Sequence, residues 1–150
     1  MQADLVIQSI PDELRLARGW LSDHARASGF SDREVRDLAL AVSEACANVI
    51  EHAYRGEPNH PIDLHLTIDE TKLLLLVHDL GVPFNVRDYR PPDLDVPQEG
   101  GYGVFIIRNL MDEVDYDVSD GTGTTLRLVK YRQGDGSPAT PSRSRERLVP

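Results

Sequence analysis

Apolar and polar positions change period along this chain, and each change marks an element. From Ala3 to Ile10 they alternate, with Leu5, Ile7 and Ser9 opposing Val6, Gln8 and Ile10, which predicts a strand. Pro11 then opens a helix carried by Leu14, Leu16, Ala17, Trp20, Leu21 and His24 to Ala25, stopped at Ser28-Gly29. A longer helix is predicted from Asp32 to Tyr54, where Leu38, Val42, Ala45 and Val49 form an apolar stripe. Ser31-Asp32-Arg33-Glu34 fits a capping box at its start, and Arg55-Gly56-Glu57-Pro58 supplies stop signals at its end. The runs 61–69 and Lys72 to His78 read as a hairpin across Asp69-Glu70-Thr71. Leu73 to Val77 is continuously apolar, as in a central strand covered on both faces. Phe105, Ile106, Leu110 and Met111 predict a short buried helix within 104–111, and 113–119 with 124–131 an antiparallel pair.

Between Asn85 and Gly100 the periodicity lapses among Pro91, Pro92 and Pro97, so this stretch reads as a long loop of the kind that forms lids. The chain from Arg132 onward has no core pattern, which predicts a domain over 1–131 and a disordered tail over 132–150. Paired strands in both halves argue against an all-helical or a doubly wound parallel fold.

Composition narrows the function. With 150 residues, 40% of them hydrophobic, the chain suits one core, and its formal charge of −9 argues against direct nucleic-acid binding. The single cysteine, Cys46, cannot form an internal disulfide, and no apolar run has the length of a membrane span, so no membrane role and a cytoplasmic location are expected. Cys46 reads as a small core residue and the lone tryptophan, Trp20, as an anchor for a core or partner surface.

Candidate chemistry gathers in three segments. Glu44, Asn48 and His52 stand at i, i+4 and i+8 on the long helix and share a polar stripe beside the apolar one. Asp79-Leu80-Gly81-Val82-Pro83 follows a strand, and Gly100-Gly101-Tyr102-Gly103 precedes a helix, where free amides can meet an anion. An asparagine is a neutral oxygen ligand suited to magnesium, and a glutamate one turn away can accept a proton. Taken singly, a Glu-x-x-x-Asn pair is ordinarily a solvated helix face, and GxG or Asp-x-Gly ordinarily a turn.

In order, SEACANVIEHAY, HDLGVPFN, GGYGVFIIRNLMDEVDY and GTTLRL resemble the asparagine box, the two glycine boxes and the closing strand of the anti-sigma-factor serine kinases, within the GHKL superfamily of ATPases. The resemblance covers roughly Ala3 to Lys130. It implies an α/β two-layer sandwich (α+β) with a mixed, mainly antiparallel sheet and helices on one face. It implies ATP and Mg2+ as cofactors, with Glu44 as general base and Asn48 as magnesium ligand. Asp79 and Thr124 would serve the adenine edge, Gly81 a close turn beneath the base, and Gly101 and Gly103 the approach of backbone to phosphate. His52 matches a histidine of this branch and is taken as a structural hydrogen-bonding residue. Relatives often carry a basic residue before the glycine pair, where this chain has Gln98-Glu99, leaving Arg87, Arg90 and Arg108 as candidates to offset phosphate charge. The implied function is a protein serine/threonine kinase that phosphorylates an anti-sigma-factor antagonist and sequesters a sigma factor, with a homodimer as an admissible assembly. The alternative is a nucleotide-gated binding protein with little or no phosphoryl transfer.

Overall fold

Five strands form one open sheet in the order β1-β2-β3-β5-β4, in a computed structural model that describes residues 1–85, 90–95, 102–119 and 121–133. The strands are β1 (Gln2–Gln8), β2 (Pro61–Ile68), β3 (Lys72–Asp79), β4 (Glu113–Asp117) and β5 (Thr124–Tyr131). All four pairings are antiparallel, so the mainly antiparallel sheet expected is antiparallel throughout. Helices α1 (Leu14–Ala27), α2 (Asp32–Asn48) and α3 (Gly103–Leu110) supply the second layer. Their apolar stripes include Ala17, Leu21 and Ala25 on α1 and Leu38, Val42 and Ala45 on α2, all buried with Leu64, Leu66, Leu73 and Leu75 of the sheet in one core.

A single helical layer accounts for two departures from the predicted pattern. In β3 only alternate residues are buried; Leu74 and Leu76 are half-buried on the opposite face, where Leu76 is flanked by His65 and Arg127 across the ladders. The strand is central but not covered on both sides. In α3 only Ile107 is fully buried, with Met111 buried just beyond the helix. The strand ends also shift. β1 stops at Gln8 because the Ser9 hydroxyl donates to Glu57 O at 2.7 Å and accepts from His60 N at 3.0 Å. β4 stops at Asp117, whose carboxylate accepts from Ser119 N at 2.8 Å in a tight turn.

The predicted capping box is formed: Ser31 Oγ accepts from Glu34 N at 3.1 Å, and Glu34 Oε1 accepts from Ser31 N at 2.9 Å. Caps of this kind contribute about 1 kcal/mol. At its other end the helix changes form, because residues Val49–Ala53 make a wider π-helical turn. Tyr54 N donates to Val49 O at 2.9 Å and Gly56 N to Ile50 O at 2.7 Å before Arg55 and Gly56 take φ of 53° and 77°. Beyond β5, Arg132 Nη1 donates to Ser28 O at 2.5 Å and Nε to Asp69 O at 3.0 Å, with its guanidinium over the Phe30 ring. The remainder of the expected tail, from residue 134, lies outside the described residues, as do Val86 to Tyr89 and Val96 to Gly101 of the expected lid. Among the described residues no helix is long and apolar enough to cross a membrane.

Candidate functional site

A cavity of about 670 Å³ opens between α2, the C-terminal end of β3, the start of β5 and the start of α3. α2 contributes Glu44 and Asn48, both half-buried, from the polar stripe next to its packed face. β3 ends in Asp79 and β5 begins with Thr124, and the antiparallel register sets these two directly opposite each other. They are 3% and 5% exposed, a depth that polar side chains reach when their hydrogen bonds are met. Asp79 Oδ1 accepts from Gly81 N at 2.9 Å, and Thr124 Oγ1 accepts from Phe84 N at 2.9 Å, leaving its hydroxyl hydrogen to donate. Burial raises the pKa of the Asp79 carboxyl, against the opposing pull of the Gly81 amide, His78 and the Thr124 backbone.

Two glycines, Gly81 and Gly123, are required by the backbone that lies against them, and a third, Gly103, packs on side chains. A Cβ on Gly103 would stand 2.9 Å from Asn48 Oδ1 and 3.1 Å from both Asn48 Nδ2 and Glu44 Oε2, so the start of α3 rests on the polar stripe of α2. A Cβ on Gly81 would collide with the Ala53 carbonyl at the end of the π turn, so here the close approach is to protein backbone. Gly123, with φ of 71°, lies against the carbonyl of Asp79, where any side chain would clash. In the sequence Gly123 is only part of a hairpin connection; the structure makes it the support behind the buried carboxylate. Gly101 lies outside the described residues, together with Arg87, Gln98 and Glu99.

Other expected residues sort less evenly. His52 lines the cavity but is exposed, and its contact among the described residues is Glu51 at 3.9 Å, not the structural hydrogen bond expected of it. Arg90 lines the cavity and Arg108 does not. Cys46 is fully buried, and burial pushes its thiol up to about 12, which makes it a core residue and not a nucleophile. Phe84 and Tyr116, unremarked in the sequence, stack at 4.0 Å between ring centroids and form an aromatic wall of the cavity. They are 32 positions apart in the chain, and no local pattern signals their contact. Among the described residues no three His, Cys, Asp or Glu side chains converge on a metal-sized site.

The histidine kinase-like ATPase domain family matches residues 7–130. Serine-protein kinase RsbW of Bacillus subtilis is 32% identical over 141 residues, covering 88% of this chain and 86% of its own length. The protein of the same name from Listeria monocytogenes serotype 4a is 32% identical over 130 residues, with 81% and 83% covered. A crystal structure of the RsbU and RsbW domains of a Mycobacterium tuberculosis protein superposes with a TM-score of 0.64 at 18% identity, which shows a common fold. That likeness covers 88% of this chain and 32% of the other, so this chain spans about a third of its length. The sheet order, the cavity between α2 and β3 and these matches agree, and the chain belongs to the histidine kinase-like ATPase domain family, among the relatives of the serine-protein kinase RsbW.

Proposed function

We propose that the chain is an ATP-dependent protein serine/threonine kinase that phosphorylates an anti-sigma-factor antagonist and, in a partner switch, sequesters a sigma factor. The observation that carries the chemistry is the meeting of Glu44, Asn48 and the start of α3 at one point, next to a cavity whose far end holds a buried carboxylate. Asp79 accepts from the adenine amino group and Thr124 serves the same edge of the base. Gly81 sets the turn beside the base and Gly103 lets α3 come down beside the phosphates, with Gly101 assigned the same role from sequence. The Asn48 amide oxygen, a neutral oxygen donor, would hold Mg2+, which would offset charge on the phosphates. Glu44 takes the proton of the substrate hydroxyl as that oxygen bonds to the γ-phosphorus, the bond to the bridging oxygen breaks and ADP leaves.

Gln98-Glu99, where relatives often carry a basic residue before the glycine pair, favours a second reading in which ATP shapes a partner surface and little phosphoryl is transferred. Incubation of the purified chain with γ-labelled ATP and candidate antagonists separates the two. Label on an antagonist serine or threonine is the expected result. Tight ATP binding with no transfer to any genuine antagonist would overturn the kinase reading in favour of the second.

A further inference from the structure

Asp79 carries the base-reading role, but the backbone just after it decides where its carboxylate stands. Leu80 and Val82 are 59% and 46% exposed, so their side chains give this turn little apolar anchorage. Its position rests on three successive amides. Leu80 N donates to the Tyr54 hydroxyl at 2.9 Å, Gly81 N to Asp79 itself at 2.9 Å, and Val82 N to Ala53 O at 2.8 Å. Two of the three acceptors therefore belong to adjacent residues at the end of the π turn. That turn leaves the Ala53 carbonyl, one of the orphan acceptors of a helix end, to be met from another element.

Tyr54 is itself held on several sides. It is 6% exposed, its hydroxyl donates to Pro61 O at 2.6 Å, and its ring stacks on His60 at 4.7 Å. Burial raises its pKa, so the hydroxyl keeps the proton it donates. With its ring and one hydrogen bond fixed to the start of β2, the same oxygen presents a fixed acceptor to the Leu80 amide.

We infer that Tyr54 is a positioning residue for nucleotide selection: through the Leu80 amide it sets the depth and direction of the Asp79 carboxylate, and so the preference for a 6-amino purine. This rests on the base-reading role proposed for Asp79. Tyr54 does not line the cavity; it acts through the turn.

Tyr54→Phe keeps the ring and removes only the hydroxyl. Calorimetry with ATP, and with purine riboside triphosphate, which lacks the 6-amino group, is run on the parent, Tyr54→Phe, Asp79→Asn and the double variant. ATP affinity is expected to fall about 5- to 30-fold in Tyr54→Phe, within the range for a stranded polar partner, while affinity for the 6-amino-free triphosphate stays within about twofold. The double variant should bind ATP no more weakly than Asp79→Asn alone, as for two residues acting through one contact. Equal losses for both nucleotides, or losses that add in the double variant, overturn the inference by making Tyr54 a general brace. Parental ATP affinity in Tyr54→Phe beside a weakened Asp79→Asn overturns it alone; parental affinity in Asp79→Asn overturns the base-reading role and this inference together. Should Tyr54→Phe not fold, amide exchange in the parent decides: a protected Leu80 amide supports the inference, and exchange there as fast as in the exposed Glu70 turn overturns it.

Discussion

The two ends of the cavity are built on different principles. At the Asp79 end, backbone crowds backbone: Gly81 is pressed on Ala53 O, Gly123 on Asp79 O, and the buried carboxylate has its position set by β3–β5 register and amide donors. At the Glu44 end, two half-buried side chains project from one helix face, and the close neighbour beside them is the start of α3. The first end is rigid because it is made of ladder and turn, so changes there strike folding and affinity. The second is a pair of side chains on a stable helix, so changes there are expected to leave the fold alone.

The largest expected effect is at the Glu44 end alone. Glu44→Gln preserves shape but removes the basic carboxylate, and single-turnover transfer to an antagonist should slow by roughly 10² to 10⁴ fold with ATP affinity near parental. Transfer at the parental rate would remove Glu44 from its role. Next, Gly123→Ala tests whether the opposite end is as unyielding as its crowding indicates. It forces a Cβ against the Asp79 carbonyl at positive φ, and denaturant titration should show a loss of about 2 to 4 kcal/mol. Alanine tolerated without loss would mean that the turn behind Asp79 is soft.

Smaller effects sharpen the contrast. Asp79→Asn should weaken ATP by about 1 to 3 kcal/mol in calorimetry, the range for losing a charged hydrogen-bond partner, while the Glu44 side of the site is untouched. The smallest effect is on the pH dependence of stability. Because the Asp79 pKa is raised on folding, the folded state holds this proton more tightly than the unfolded state. Its contribution is fully present below the ordinary value of 3.8 and is lost as pH rises through the raised folded value. Urea midpoints taken upward from that value should fall less steeply in Asp79→Asn than in the parent; parallel curves would assign the slope to other groups.

Much of the fold was legible locally. The capping box at Ser31 and Glu34 and the alternation in β2 depend on neighbours within a few residues, so they could be read directly. The adjacency of Glu44 and Asn48 was legible for the same reason, since one helical turn puts them side by side whatever surrounds the helix. The extent of the helix was legible too, but not its change of winding after Asn48. An α and a π ending of the same residues differ in which carbonyls are left to be met by distant groups, here the Val82 amide. The closeness of Asp79 and Thr124 is a matter of strand register, which two strand-like segments do not specify until they pair. The apolar run of β3 likewise could not reveal that its helices all lie on one side and leave Leu74 and Leu76 on the other. Gly81 and Gly123 looked alike as turn residues; contact with Ala53 and Asp79 made them obligatory, because backbone from elsewhere in the chain occupies the space where their side chains would go. Local spacing thus specified the elements and the polar stripe of α2, whereas long-range packing set the depth, register and backbone crowding of the end assigned to the base.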